Sequence, residues 1–473
     1  MEVMIGLEVH CQLDTKSKLF CSDSTDHHGK PPNADTCPIC LGFPGSKPKV
    51  NKKAIDYAIM IGMALNCKIA ERMWFSRKTY FYPDLPKNFQ ITQYEVPVAS
   101  DGYLNVGSSR IRIRRVHIEE DPARLVHMGG DITSAEYVLI DYNRSGTPLA
   151  EIVTEPDFKN TKDVRAFLQK LASMLEHLGV YDSSEEGSLR IDANVSIEGG
   201  ERVEVKNISG FENVEKALNY EIVRQNGMRR MEVEVERETR HFDAESRTTK
   251  SLRKKETEDE YGYIFEPDLP EIHINGNWME NVRSAMPELP DQRVARFVRE
   301  YGLTDYSAGV IVYTDKRLAD FFEGCCRIYG RPAEVANWTI NYLLKSLNWR
   351  SERIGASKVR EETFVELLQM IDSGEITERY AKELIKEYVD SGESPRKIVG
   401  MEGDGGAAPL EEAVAKVAAE NRAAVEELRA GKGEVMGFLI GRVLAETGKR
   451  GDPKAIREAI MNYLNGPEAG MPR

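Results

Sequence analysis

The sequence contains no run of the ~20 apolar residues that a membrane-spanning helix needs. Its start, Met1-Glu-Val-Met-Ile-Gly-Leu-Glu-Val-His, lacks the basic segment that opens a secretory signal and carries two acids in eight residues. A cytoplasmic protein without membrane attachment is therefore expected. The cysteines number seven, an odd count too sparse for a disulfide framework in a chain of 473 residues. A basic excess is missing too: 77 acidic against 64 basic residues give a net charge of -13. Nucleic-acid binders are more often basic, so any such contact must lie on a local surface or be shared with a partner. There is no Gly-x-x-x-x-Gly-Lys-Ser/Thr phosphate loop, no dinucleotide fingerprint after a strand and no Gly-x-Ser-x-Gly nucleophile elbow. If ATP is used, metal and side chains must hold its phosphates. Internal repeats and long low-complexity tracts are also absent.

With 41% hydrophobic and 30% charged residues the composition is that of a globular protein, and the length suggests about three domains. Residues 1–290 are rich in period-2 alternation, as in Val3-Met-Ile-Gly-Leu-Glu-Val-His, Arg110-Ile-Arg-Ile-Arg and Ser188-Leu-Arg-Ile-Asp-Ala-Asn-Val-Ser-Ile, which predicts half-buried strands. Helices are predicted at 161–178, with Thr161 as N-cap, and at 213–224. Residues 291–400 turn helical, with patterns at 332–347 and 361–371 and a short helix capped by Thr377. A Gly-rich linker follows at about 399–409. A small helical tail occupies 409–473, with helices at 411–428 and 435–446 and a last one capped by Asp452, with Pro453 at its first position. The fold class is α+β multidomain: a large mixed-sheet N-terminal domain, a helical domain and a small all-α tail.

Chemistry concentrates on the predicted strands. On the first, Val3, Ile5, Leu7 and Val9 share one face, which leaves Gly6, Glu8, His10 and Gln12 on the other. A carboxylate and an imidazole two residues apart can converge on one cation, although an isolated Glu-x-His also suits a solvated strand face. His117 and Glu119 repeat the arrangement, with Glu120 and Asp121 adjoining. If that strand ran straight, Arg115, His117 and Glu119 would join Ile111 and Ile113 on the apolar face, where polar groups need partners, a cavity or a bulge. Glu151 lies inside an apolar run, where an unpaired carboxylate is costly. Asp192 and Asn194 share a face with Arg190, and Glu204 shares one with Lys206, with Asn207 close by. Cys37-Pro-Ile-Cys40 is a zinc-type knuckle that Cys21 could join, the fourth ligand being Asp23, His27, His28 or Cys11. Cys67, Cys325 and Cys326 read as packing residues.

As a string, these segments resemble the B subunit of the tRNA-dependent amidotransferase. The most specific pieces are Ile5-Gly-Leu-Glu-Val-His, Thr36-Cys-Pro-Ile-Cys-Leu-Gly-Phe-Pro-Gly, Lys78-Thr-Tyr-Phe-Tyr-Pro-Asp-Leu-Pro-Lys, His117-Ile-Glu-Glu-Asp, Asp141-Tyr-Asn-Arg-Ser-Gly-Thr-Pro-Leu-Ala-Glu-Ile-Val and Glu186-Gly-Ser-Leu-Arg-Ile-Asp-Ala-Asn-Val-Ser. The resemblance covers essentially the whole chain. It implies a cradle-type domain that binds ATP and Mg²⁺, then a helical domain and a tail that contact tRNA. It further implies a heterotrimer with an amidase A subunit and a small C subunit. Misacylated Asp-tRNA(Asn) or Glu-tRNA(Gln) would be activated as an acyl phosphate and then amidated.

On this resemblance Glu8, His10, Glu119, Glu120 and Glu151 fall in the metal and phosphoryl-transfer motifs, with Glu8, His10, Glu119 and Glu151 as the Mg²⁺ set. Lys78, Tyr80, Tyr82, Asp84 and Lys87 form a loop for substrate or nucleotide, and Asp192, Asn194, Lys206 and Asn207 complete the polar wall. Members with the full cysteine set carry Cys-x-Cys before the knuckle, whereas this chain has Cys21-Ser22-Asp23. That leaves Cys21, Cys37, Cys40 and Asp23 as the zinc set. Rival readings are a non-catalytic tRNA-binding scaffold and a metal-dependent hydrolase.

Overall fold

The alternation that opens the chain forms a ten-residue strand, β1 (Val3–Gln12), with Ile5, Leu7, Val9 and Cys11 fully buried on one side. The computed structural model describes residues 2–27, 29–129, 135–183, 187–254, 262–403, 410–447 and 453–465. They divide into two compact units, Met1–Pro290 and Asp291–Arg473.

In the first unit β1 lies at the middle of a nine-stranded sheet. Its other members are β2 (Lys68–Ile69), β3 (Ala99–Val106), β4 (Ser109–Glu120), β5 (Pro148–Thr154), β6 (Leu189–Ile197), β7 (Val203–Ile208), β8 (Glu238–Asp243) and β9 (Thr248–Lys254), in the order β9-β8-β7-β6-β1-β5-β4-β3-β2. The sheet is mixed: β7 and β8 run parallel and the other pairs antiparallel. Helices α1 (Lys52–Ala64), α2 (Thr161–Leu178) and α3 (Phe211–Arg230) bury their apolar residues in the same core as one face of this sheet. Val164, Phe167, Leu168, Leu171 and Leu175 form the buried stripe of α2, and Phe167 meets Phe158 edge-on at 5.2 Å. Each such side chain adds roughly 1.5–3 kcal/mol by leaving water. The opposite sheet face, relieved of that packing, is where polar side chains collect.

One irregularity decides which residues reach that polar face. Val153 pairs with Arg115 but Thr154 pairs with Ile113, so Arg114 is an extra residue in β4. This bulge turns the alternation over. Ile111 and Ile113 before it and Val116 and Ile118 after it all enter the core, while Arg115, His117 and Glu119 take the other face. The conflict in the sequence pattern is thus resolved by a bulge.

Several local expectations need correcting. Asn160, not Thr161, caps α2, its side chain accepting from the Asp163 N–H at 2.9 Å, while Thr161 Oγ1 donates to Asn219. The helix predicted at 213–224 extends over Phe211–Arg230. That at 332–347 contains a π-helical segment, Thr339–Leu343, and that at 411–428 is two helices, Leu410–Glu420 and Arg422–Arg429. Asp452 lies outside the described residues. Thr377 does cap its helix, accepting from Tyr380 N–H at 3.2 Å.

The second unit is helical and has two separate apolar cores, one running from Phe297 to Ile398 and one from Ala413 to Ile460. Among the described residues no helix is long and apolar enough to cross a membrane.

Candidate active site

Strand register lines up the polar face. His10 faces Arg190 of β6 on one side and Glu151 of β5 on the other, and Glu151 in turn faces His117 of β4. One pair along, Glu8 faces Asp192. Side chains in facing positions approach closely, and two clusters result.

In the first cluster His117 Nε2 lies 3.0 Å from Glu151 Oε2, and His10 Nε2 lies 3.5 Å from the same oxygen. Glu119 stands 3.7 Å from His10 and 3.8 Å from His117, and Thr92 Oγ1 donates to it at 3.3 Å. Burial opposes the charged form of His10, but Glu151 and Glu119 outweigh it and raise its pKa to about 9; His117 is raised in the same way. Glu151 is pushed up by burial, yet His117 and His10 hold it well below the ordinary carboxylate range. Without a metal, protonated imidazoles occupy the place of a cation.

In the second cluster Glu8, Asp192 and Glu204 bring one oxygen each to within 4.8 Å of one another. Asp192 takes Lys206 Nζ at 3.2 Å and the Asn207 N–H at 2.7 Å. Asn207 sits at φ +54°, a left-handed position that asparagine tolerates, where the β6–β7 register slips. Glu204 receives Lys206 at 3.5 Å and the Thr239 hydroxyl at 3.1 Å. Asn194 Nδ2 donates to Glu8 Oε1 at 3.1 Å. Burial raises the Glu8 pKa, and Glu151, Asp192 and Glu204 push it further. Three carboxylates around a single ammonium leave negative charge that a divalent cation would neutralise.

The second cluster fits Mg²⁺ by its oxygen donors and excess negative charge, and the first fits it by the donor set of His10, Glu119 and Glu151, where a metal would take the place of the imidazole protons. The expected set is divided between them: His10, Glu119 and Glu151 come together, whereas Glu8 groups with Asp192 and Glu204. Beyond Glu8 a cavity of about 160 Å³ continues past Gly6, Thr154, Asn194 and Ser196, and Asn194 Oδ1 is buried without a partner.

Glu120 follows Glu119 and therefore turns the other way. Lys87 Nζ clamps both its oxygens at 2.5 and 2.6 Å, and the Ile91 N–H adds a bond at 2.8 Å. Gly42, at φ +70°, makes room for Lys87, because a Cβ there would stand 2.2 Å from Lys87 Cγ. Lys78 lies in the short strand Ser76–Thr79, Tyr80 is half-buried, Tyr82 is exposed, and Asp84 is half-buried with its pKa raised by burial.

Asp121, only 1% exposed, receives Arg190 Nη2 at 2.7 Å and has Arg144 Nε at 3.2 Å. Arg144 also donates to the carbonyls of Pro122 and Ala123.

Cys21, Asp23, Cys37 and Cys40 form a third cluster. Cys40 Sγ is 3.3 Å from Asp23 Oδ2 and accepts the Cys37 N–H at 3.2 Å. A hydrogen bond from Cys21 outweighs burial and, with the nearby charge of Lys18, lowers the Cys40 pKa to about 6. Lys18 is fully buried, its Nζ 3.8 Å from Cys40 Sγ and 2.7 Å from the Asp35 carbonyl. Three sulfurs and a carboxylate suit zinc. Cys11 is in the core and His27 Nδ1 lies 2.8 Å from the Thr25 carbonyl, so neither joins this cluster; His28 lies outside the described residues.

From sequence, His117, Asp121, Arg190 and Glu204 are noted on the polar strand faces but placed in none of the metal or binding sets, and Arg144 is given no role. A signal existed for the first four, since His117 and Asp121 adjoin Glu119 and Arg190 and Glu204 alternate with Asp192 and Lys206. For Arg144, which reaches the wall from a turn, there was none.

Comparison with known proteins agrees in extent with this architecture. Residues 3–280 match the family described as GatB/GatE catalytic domain, and residues 320–464 match the one described as GatB domain. A Saccharolobus solfataricus protein, named as the B subunit of aspartyl/glutamyl-tRNA(Asn/Gln) amidotransferase, is 46% identical over 470 residues, covering 98% of this chain and 99% of that one. Proteins of the same name from Carboxydothermus hydrogenoformans (43% over 479 residues, 98% of each chain) and Methanospirillum hungatei (45% over 481 residues, 98% and 99%) are similar along their whole length.

Proposed function

This chain belongs to the family of aspartyl/glutamyl-tRNA(Asn/Gln) amidotransferase B subunits, and we propose that the polar face of its nine-stranded sheet is where the aminoacyl side chain is activated. The enzyme of which it forms part is a multi-subunit, glutamine-dependent ligase that uses ATP. The observation that carries the proposal is the pair of facing clusters, His10–Glu119–Glu151 and Glu8–Asp192–Glu204. A surface that merely binds RNA has no use for buried carboxylates gathered with so few cations, because each costs desolvation energy.

Glu8, His10, Glu119 and Glu151, joined by Asp192 and Glu204, would hold Mg²⁺. Once bound, the metal would neutralise charge on the ATP phosphates as the γ-phosphoryl group moves. The protein's own groups prepare this wall. Lys206 keeps Asp192 ionised and reaches Glu204 at 3.5 Å, Thr92 orients Glu119, and His117 fixes Glu151 from the side away from His10. The cavity past Gly6 and Asn194 takes the nucleoside, with Asn194 Oδ1 as an acceptor. The side-chain carboxylate of Asp-tRNA(Asn) or Glu-tRNA(Gln) attacks the γ-phosphorus and ADP departs. Ammonia then attacks the acyl carbon, phosphate leaves, and the nitrogen sheds one proton to give the amide. An enclosed wall keeps water from the acyl phosphate in between.

The ammonia comes from an amidase A subunit, and a small C subunit completes a heterotrimer. The helical unit and the tail contact the tRNA. Cys21, Asp23, Cys37 and Cys40 hold a structural zinc beside the Lys87 clamp.

The test is amide formation on both misacylated tRNAs by the assembled complex with glutamine, with and without ATP. ATP-dependent Asn-tRNA or Gln-tRNA supports the reading. A complex that binds tRNA yet makes neither product would favour a non-catalytic scaffold.

A further inference from the structure

We infer that Arg144 and Arg190, braced from behind by Asp121, form the seat that grips the side-chain carboxylate of the incoming aminoacyl-tRNA. This assignment rests on the function proposed above and names the residues that recognise its substrate.

Charge is the first ground. Two guanidiniums share one carboxylate that is sealed from solvent. Arg124 and Asp84 lie near enough to act on Arg144 electrostatically and add one charge of each sign. Arg144, Arg190 and Asp121 by themselves carry one positive charge, and Arg190 also feels Asp192 and Glu119 of the neighbouring clusters. Once those carboxylates are occupied by a cation, a monoanionic carboxylate would cancel the charge of the seat.

Geometry is the second. Asp121 holds Arg190 by Nη2 alone, and Nε and Nη1 of Arg190 have no hydrogen-bond partner among the described residues. The arginine side chains stay 24% and 21% exposed while Asp121 is closed off. Arg190 is thus fixed on the protein side and open on the other, whereas Arg144 spends Nε and Nη2 on the Pro122 and Ala123 carbonyls and has Nη1 left to offer. A guanidinium with an open edge matches a carboxylate in a two-point contact.

Position is the third. Arg190 faces His10 across the β1–β6 pair, and Asp121 follows Glu119 by two residues. The seat therefore adjoins the first cluster, whereas the cavity lined by Gly6 and Asn194 lies on the far side of Glu8. A nucleotide entering from the cavity would lay its phosphates over the carboxylate clusters and bring its γ end toward the seat. The anion held there is then the acceptor carboxylate. Amidation removes that negative charge, so the seat also distinguishes substrate from product.

The assembled complex tests this with Arg190→Lys, which keeps the charge but loses the fork, and with Arg144→Lys and Asp121→Asn. Two quantities are read: the ratio of affinities for the acid and amide forms of one aminoacyl-tRNA (Asp-tRNA against Asn-tRNA), and the KM values for misacylated tRNA and ATP. The wild-type complex should bind the acid form more tightly. In Arg190→Lys that preference should fall to near one, KM for misacylated tRNA should rise about tenfold or more, and KM for ATP should stay within about twofold. Arg144→Lys and Asp121→Asn should shift the ratio the same way. An unchanged ratio, or a rise confined to the ATP KM, would overturn the seat and assign the guanidiniums to the nucleotide phosphates. Because the ratio is read without turnover, failure of the wild-type complex to make amide would refute the reaction and leave the seat's own test standing.

Discussion

His117 Nε2 lies 3.0 Å from Glu151 Oε2, and the two residues are direct partners across the β4–β5 ladder. Their meeting depends on the extra residue at Arg114, which moves His117 off the core face. Glu151 then serves two imidazoles, one from β1 and one from β4, so the geometry of the first cluster is fixed by three adjacent strands.

The Lys87–Glu120 pair is nearly closed to solvent, with side chains 9% and 6% exposed. Lys87→Met alone leaves a buried carboxylate without its counter-ion and should cost about 3–5 kcal/mol. Replacing both, as Lys87→Met with Glu120→Leu, should recover most of that loss. Urea unfolding of the four proteins in the cycle gives the coupling. Additive losses would mean that the pair is not a unit.

Much of the sheet was legible because period-2 alternation is a local property. The faces of β1 and the partnership of Asp192 with Asn194 follow from counting residues. What could not be read was long-range. The sequence shows a change of phase at Arg114-Arg115, but only the pairing with Val153 and Thr154 makes it a bulge. Glu8 and His10 are two residues apart and share a face, yet their neighbours on β5 and β6 send them to different clusters. Arg144 reaches Asp121 from a turn, where no periodicity announces it. The N-cap of α2 fell one residue from its expected place because Asn160 and Thr161 both have capping side chains and only the backbone path selects between them.

In the helical unit, burial raises the pKa of Glu323, but hydrogen bonds from Arg296 and Arg293 outweigh it and the net shift is downward. A lowered carboxylate stabilises above its unfolded pKa, near 4.5, and that contribution disappears as pH falls through the folded value. Glu323→Gln should lose roughly 1–3 kcal/mol at pH 7 and show a shallower decline in stability between pH 5 and 3, a window set by that ordinary value. Urea unfolding of the full chain across this range measures both. Equal pH slopes for the two proteins would contradict the assignment.

Zinc should be present at about one equivalent per chain in protein purified without chelator, given three thiols and a carboxylate in one cluster. Cys40→Ser should reduce it severalfold, and Asp23→Cys should retain it more firmly against chelator. Elemental analysis after dialysis decides the matter, and wild-type levels of zinc in Cys40→Ser would remove the site.

Removal of the residues after 409 deletes the last apolar core, Ala413 to Ile460, without touching the other two. In the assembled complex the truncation should weaken use of misacylated tRNA about tenfold or more while leaving glutamine hydrolysis in place. Steady-state kinetics on both substrates provides the readout. Unchanged KM for tRNA would show that the tail makes no productive contact.

The most direct measurement is ATP-dependent amide formation by complexes carrying Glu8→Gln or His10→Ala, one change in each carboxylate cluster. Both should fold and assemble, and both should lose at least about 100-fold in kcat/KM, some 2.7 kcal/mol of transition-state stabilisation. Turnover at the wild-type rate in both would place the chemistry elsewhere.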